Sequence, residues 1–220
     1  MASSPASTLT PFQREALRAF FERERGFFVT GGAALAGFHL GHRRTDDLDL
    51  FTTDDSAFER GRHVLADVAA SLGGTLEIRQ DTPRFVRTVL TRGSDAVVVD
   101  LVRDQVQQLH AQKPEHDGIA VDPPDEILAN KLAALVGRAE ERDLVDVLFL
   151  ERTGLRVEDA LGPALAKDGG CTPATLAWLL SQIDIPDGID LPGGVTAEEL
   201  RRYVGDLVIR LRRAALPATR

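Results

Sequence analysis

The segment Asp47-Leu48-Asp49-Leu50-Phe51 alternates acidic and apolar residues, the period of a β-strand with one face in a core and one polar edge. This pattern demands a sheet to receive the apolar face. It also sets Asp47 and Asp49 two apart, so both carboxylates leave the same side. Two like charges held that close need a counter-ion, and Mg²⁺, which takes carboxylates together with substrate phosphates, matches the demand. Upstream, the apolar run Phe27-Phe28-Val29 leads through Thr30 into Gly31-Gly32, and a small-residue helix is expected over Ala33 to Leu40. A glycine pair between strand and helix leaves backbone N–H groups open, a natural seat for phosphate. Downstream, Asp100 closes the run Val97-Val98-Val99 in another strand, where an acid is costly to bury without a partner. Placed beside Asp47 and Asp49, it completes a three-carboxylate site able to hold two metal ions about 3.5–4 Å apart.

The rest of the chain divides in character. Thr10-Pro11 reads as an N-cap and first helical residue; Phe12, Ala16, Leu17, Phe20 and Phe21 follow at helical spacing, with Gly26 as the stop. A helix is expected over Phe58 to Leu72, then strands over Leu76 to Arg79, Phe85 to Thr91 and Ala96 to Val102, with a Gly93-Ser94 turn between the last two. Pro114, Gly118 and Pro123-Pro124 mark a loop. Beyond it the pattern is helical, over Asp125 to Val136, Glu140 to Glu151, Val157 to Lys167, Pro173 to Gln182 and Ala197 to Ala215, with a loop from Asp184 to Gly194. The class expected is α+β, with a mixed α/β domain over residues 1–120 and a helical one over 121–220.

Composition narrows the functions available. With 220 residues, 43% hydrophobic and 27% charged, the chain can bury a real core. A net charge of −8 speaks against coating nucleic acid by bulk charge but leaves room for a local basic groove. Arg79, Arg84, Arg87 and Arg92 would line such a groove, or else form a solvated strand face. At 5% aromatic residues, base stacking along a single strand is a poor expectation. Cys171 is alone, so neither a disulfide nor a Cys-rich zinc site forms within the chain, and His39 and His42 lack the partners to complete a zinc site. Met1 to Thr8 has neither a basic nor an apolar region of a signal peptide, and Phe27 to Leu40 is too short for the ~20 apolar residues a membrane span needs. A soluble cytoplasmic protein with no membrane partner is expected.

The order Gly31-Gly32, helix, Arg43-x-Thr45-x-Asp47-Leu48-Asp49, then Asp100, resembles the DNA-polymerase-β-type nucleotidyltransferase superfamily. Lys131-x-x-Ala134-Leu135-x-x-Arg138 followed by Arg142-Asp143-x-x-Asp146 narrows the resemblance to the AbiEii/AbiGii-type nucleotidyltransferase toxins. It covers roughly residues 27–150; residues 151–220 carry no named resemblance.

The resemblance implies a nucleotidyltransferase-type mixed sheet with flanking helices, and a helical half completing the nucleotide and acceptor cleft. It implies Mg²⁺-dependent transfer of a nucleotidyl group from a nucleoside triphosphate to an acceptor hydroxyl, first of all the 3′ end of tRNA, with Mn²⁺ as an alternative ion. Asp47, Asp49 and Asp100 would hold the metals and Asp100 would help activate the hydroxyl. Lys131, Thr30, Gly31, Gly32, Arg43, Thr45, Arg138 and Asp146 would hold or orient substrate. A toxin–antitoxin or phage-defence role with a cognate antitoxin follows from the same resemblance. The chain departs from the Gly-Ser of many superfamily members, so backbone amides or Thr30 must supply the serine's phosphate contact. Other readings stay open: Lys131 as a solvated helix lysine, Arg142, Asp143 and Asp146 as a structural ion-pair network, a protein or a small aminoglycoside-type acceptor, or an inactive nucleotide-binding module.

Overall fold

The structure, a computed structural model, describes residues 7–138 and 140–216. Residues 1–6, most of the stretch expected to lack a signal peptide, lie outside the described residues. The chain forms two compact units. The first takes the residues up to Val106 with His110–Pro123; the second takes Gln107–Leu109 with the residues from Pro124 onward.

The first unit begins with α1 (Pro11–Phe21), fixed by a capping box: the Thr10 hydroxyl accepts from the Gln13 amide at 3.1 Å, and the Gln13 side chain accepts from the Thr10 amide at 2.8 Å. The helix stops at Phe21 and not at Gly26. Glu24 turns inward, accepts the Gly26 amide at 2.7 Å and pairs with Arg60 at 2.6 Å, which pulls the chain off the helical path. Next come β1 (Phe28–Val29), α2 (Gly31–Ala34) and a π-helical turn over Leu35–His39, then β2 (Asp47–Thr52) and α3 (Asp55–Ser71). The meander β3 (Thr75–Thr82), β4 (Phe85–Arg92) and β5 (Asp95–Arg103) completes one sheet in the order β1-β2-β5-β4-β3. β2 and β5 run parallel and the other neighbours antiparallel, so the sheet is mixed, as expected. Leu48 and Leu50 of β2 and Leu101 of β5 are buried together with Phe20, Phe27 and Phe58 from the flanking segments. The loop expected around Gly118 contains a small hairpin, β6 (Glu115–His116) with β7 (Ile119–Ala120), too short for a period-two signal.

The second unit is α4 (Pro124–Gly137), α5 (Glu141–Arg152), α6 (Val157–Lys167), α7 (Pro173–Ser181) and α8 (Ala197–Ala214), with a 3₁₀ turn over Pro192–Gly194. Thr172 and Thr196 cap α7 and α8 through side-chain oxygens. Buried Lys167 pairs with buried Glu126 at 2.5 Å, joining α6 to α4, and Glu151 joins α5 to α8 through Arg210 and Tyr203. Among the described residues no helix is long and apolar enough to cross a membrane.

Candidate active site

β2 buries alternate residues, so Leu48, Leu50 and Thr52 face the core while Asp47 and Asp49 stand half-exposed on the other side. The parallel register places Asp49 opposite Asp100, and the antiparallel register places Asp100 opposite Arg87. Three side chains thus stand abreast on three adjacent strands. One oxygen from each of Asp47, Asp49 and Asp100 lies within 4.8 Å of the other two. Among the described residues this is the one group of three or more metal-ligating side chains, so His39 and His42 join no such cluster. Its donors are all hard carboxylate oxygens, which fits Mg²⁺ or Mn²⁺. Asp100 is 3% exposed and would be costly there alone. Arg87 answers it with a fork, Nε to one oxygen at 2.9 Å and Nη2 to the other at 2.6 Å. Its hydrogen bonds to Asp100, backed by the charges of Asp100, Asp47 and Asp49, hold the Arg87 pKa above its ordinary value.

The two glycines are crowded by what approaches them, Gly31 the more rigidly. Gly31 has φ +59°, and a Cβ there would lie 2.7 Å from Asp49 Oδ2. A Cβ on Gly32 would lie 2.7 Å from Arg43 Nη2 and 3.3 Å from Thr45 Oγ1. The Arg43 guanidinium therefore crowds the place a serine would occupy, which gives the Gly-Gly departure a physical reason. Thr45 donates its hydroxyl to Asp47 Oδ1 at 2.8 Å, and its carbonyl accepts from the Gln13 side chain at 2.8 Å. The glutamine of the α1 capping box thus also anchors the turn that presents the first aspartate.

A second group beside the glycine turn escaped the sequence reading. Asp122 is fully buried; it accepts from the Thr30 hydroxyl at 2.5 Å and pairs with Lys113 at 2.7 Å. Its amide donates to the Val29 carbonyl, and its own carbonyl accepts from His39 Nε2 at 2.7 Å. Burial, opposed by that hydrogen bond, holds the His39 pKa below its ordinary value. The Thr30 hydroxyl proton is thereby committed inward. The signal was present: Asp122 closes Ile119-Ala120-Val121 much as Asp100 closes its own apolar run.

In the helical unit, Lys131 Nζ lies 2.6 Å from Asp143 and 2.7 Å from Asp146. Burial works against the ammonium, but Asp146 and Asp143 outweigh it and keep the Lys131 pKa above its ordinary value. Arg138 reaches Asp143 at 3.6 Å from a largely exposed position, and Arg142 turns to Glu140 at 2.7 Å. α4 ends at Gly137 and α5 starts at Glu141, so Lys131, Arg138 and Arg142 do not share one continuous helix. Three of the four arginines expected to line a groove carry an acidic partner, Arg79 with Glu77, Arg87 with Asp100, and Arg92 with Glu15 while stacking over Phe12; Arg84 lies exposed in the turn between β3 and β4.

The family model for the nucleotidyl transferase AbiEii toxin of type IV toxin–antitoxin systems matches residues 15–208. That span takes in most of the segment beyond residue 150, which the sequence motifs left without a resemblance. Among proteins of curated function none matches the sequence. The fold is similar to JHP933 from Helicobacter pylori, at 16% identity over 92% of this chain and 91% of that one, with a TM-score of 0.52. It is similar as well to MenT4, a nucleotidyltransferase toxin from Mycobacterium tuberculosis, at 14% identity over 92% and 85% of the two chains, TM-score 0.52. At such identities these structures speak for the fold, and the family match carries the assignment: the chain belongs to the AbiEii nucleotidyltransferase toxin family and is an enzyme of nucleotidyl transfer.

Proposed function

We propose that this chain transfers a nucleotidyl group from a nucleoside triphosphate to the 3′-terminal hydroxyl of tRNA, in a Mg²⁺-dependent reaction in the cytoplasm that a cognate antitoxin restrains. The observation that carries this reading is the gathering of Asp47, Asp49 and Asp100 beside the Gly31-Gly32 turn. Asp47, Asp49 and Asp100 would hold the ions, with Mn²⁺ as an alternative. When bound, the ions stabilise charge on the attacking and leaving oxygens.

The chain's own groups position and neutralise. The Gly31 and Gly32 amides and Arg43 receive phosphate oxygens, and Thr45 keeps Asp47 in place. Asp122 fixes Thr30 and through it the start of the glycine turn. The acceptor oxygen forms a bond to the α-phosphorus, the bond from that phosphorus to the bridging oxygen breaks, and pyrophosphate leaves with the electron pair. The acceptor's proton passes to Asp100. Within the helical unit Lys131 spends two of its three N–H groups on Asp143 and Asp146, and this reading assigns the third to a phosphate acceptor, with Asp146 as orienting partner and Arg138 as a second cation. On this reading residues 1–120 are the catalytic core, and the helical residues 121–220 supply these cations.

Purified protein incubated with each α-labelled triphosphate, Mg²⁺ and total RNA should place label on tRNA 3′ ends from at least one nucleotide, and Asp49→Asn should abolish it. Absence of transfer from all four triphosphates would overturn the reading. The net charge of −8 favours a cationic small acceptor as the second reading, so an aminoglycoside belongs in the same assay. Label there and not on RNA would select it.

A further inference from the structure

We infer that Arg87 is a resident counter-ion that competes with metal for Asp100, withholding the third carboxylate until the guanidinium is displaced. The inference rests on the metal-dependent reading above and concerns how that site loads. Both oxygens of Asp100 accept from Arg87, at 2.9 and 2.6 Å, in the planar fork that makes arginine–carboxylate pairs strong and directional. These are the oxygens through which Asp100 would meet an ion. Asp47 is engaged differently, accepting a hydroxyl proton from Thr45 at 2.8 Å, a contact that leaves its charge unpaired by that partner. Two of the three carboxylates thus present a divalent ion with unequal terms: Asp47 on β2 held by a neutral donor, and Asp100 on β5 already bound to a cation.

Burial separates the two partners of the fork. The Asp100 side chain is 4% exposed whereas that of Arg87 is 46% exposed. A buried carboxylate left without a cation is costly, so Arg87 stabilises the sheet while no metal is present. A half-exposed guanidinium can turn into water without a large desolvation penalty, so a stronger cation can take its place. Arg87 is also close enough to feel the charges of Asp47 and Asp49, so an ion entering among the three acids meets a positive charge that must move. Arginine here keeps the acids together and sets the threshold for loading them.

The test is a Mn²⁺ titration of the full chain without nucleotide, following free Mn²⁺ by electron paramagnetic resonance, with circular dichroism to verify the fold of each variant. Arg87→Gln should bind Mn²⁺ about tenfold more tightly than the unsubstituted protein, the order expected when a charged hydrogen-bonded competitor is removed. Arg87→Lys keeps the charge but cannot form the fork, so its affinity should fall between the two, and it decides the matter if the glutamine variant does not fold. Equal or weaker binding by the folded variants overturns the role of Arg87 while leaving the metal site standing. Absence of Mn²⁺ binding by every form overturns the metal-dependent reading and this inference with it.

Discussion

Two clusters of acids and bases stand in this protein, one in each unit, and they are built on opposite principles. In the helical unit the cation lies inside: the Lys131 side chain is 10% exposed, and Asp143 and Asp146 close on it from α5. On the sheet the acid lies inside and the cation at the rim, since Asp100 is buried and Arg87 is half in water. A buried cation between two buried acids cannot leave without stranding like charges, so that cluster is a fixed part of the fold. A rim cation over a buried acid can be exchanged for another cation, so that cluster can take up a ligand. The same residue types give a brace in one place and a loading site in the other, and solvent access to the cation decides which.

The contrast is broken most sharply by removing each cation in turn. Lys131→Met should destabilise the protein by about 3–5 kcal/mol, because Asp143 and Asp146 lose the buried cation that lies between them. Arg87→Gln should cost less, about 1–3 kcal/mol, because Asp100 stays buried but the glutamine amide can still donate to it from a position open to water. Urea unfolding of both variants measures the gap, and equal losses would erase the distinction. Gly31→Ala comes next: a left-handed residue with a Cβ costs about 1–2 kcal/mol, and that Cβ would lie 2.7 Å from Asp49 Oδ2. The displaced carboxylate should lower kcat on the order of 10²-fold in a transfer assay, far more than the stability change implies.

Gly32→Ser should be milder, below about 1 kcal/mol, because the atom it meets is the movable end of Arg43. Its expected signature is a raised KM for the triphosphate with a nearly unchanged melting temperature. The smallest effect is a flat one. A lysine whose pKa is raised contributes its full stability below the unfolded value and loses it only as pH rises through the higher folded one. The deficit of Lys131→Met should therefore stay constant from about pH 6 to 9 and shrink only in stronger alkali. Thermal melts across that range check it, and a deficit fading near neutrality would contradict the raised value.

Local signals were the legible ones. The β2 alternation, the Thr10 cap and the Gly93-Ser94 turn each depend on neighbours a few residues apart, and the elements they predict are present with ends shifted by a few residues. Asp47, Asp49 and Asp100 come together because strand register turns a local pattern into a row. What sequence did not reveal was partnership across distance. That Glu24 would bend toward Arg60, that Asp122 would receive both Thr30 and Lys113, and that Arg87 would fork onto Asp100 all depend on packing between remote segments. The reason for Gly32 was equally hidden, since it lies in where the Arg43 side chain comes to rest.

The central claim is that the sheet cluster, and not the helical one, is the metal site for nucleotidyl transfer. Crystals soaked with Mn²⁺ and a non-hydrolysable triphosphate, measured for anomalous scattering, test it most directly. The account predicts anomalous peaks bounded by Asp47, Asp49 and Asp100, with the triphosphate against Gly31 and Gly32, and none beside Asp143 and Asp146. A crystal with nucleotide bound but no peak at the three sheet aspartates, or with its ion beside Lys131, would contradict it.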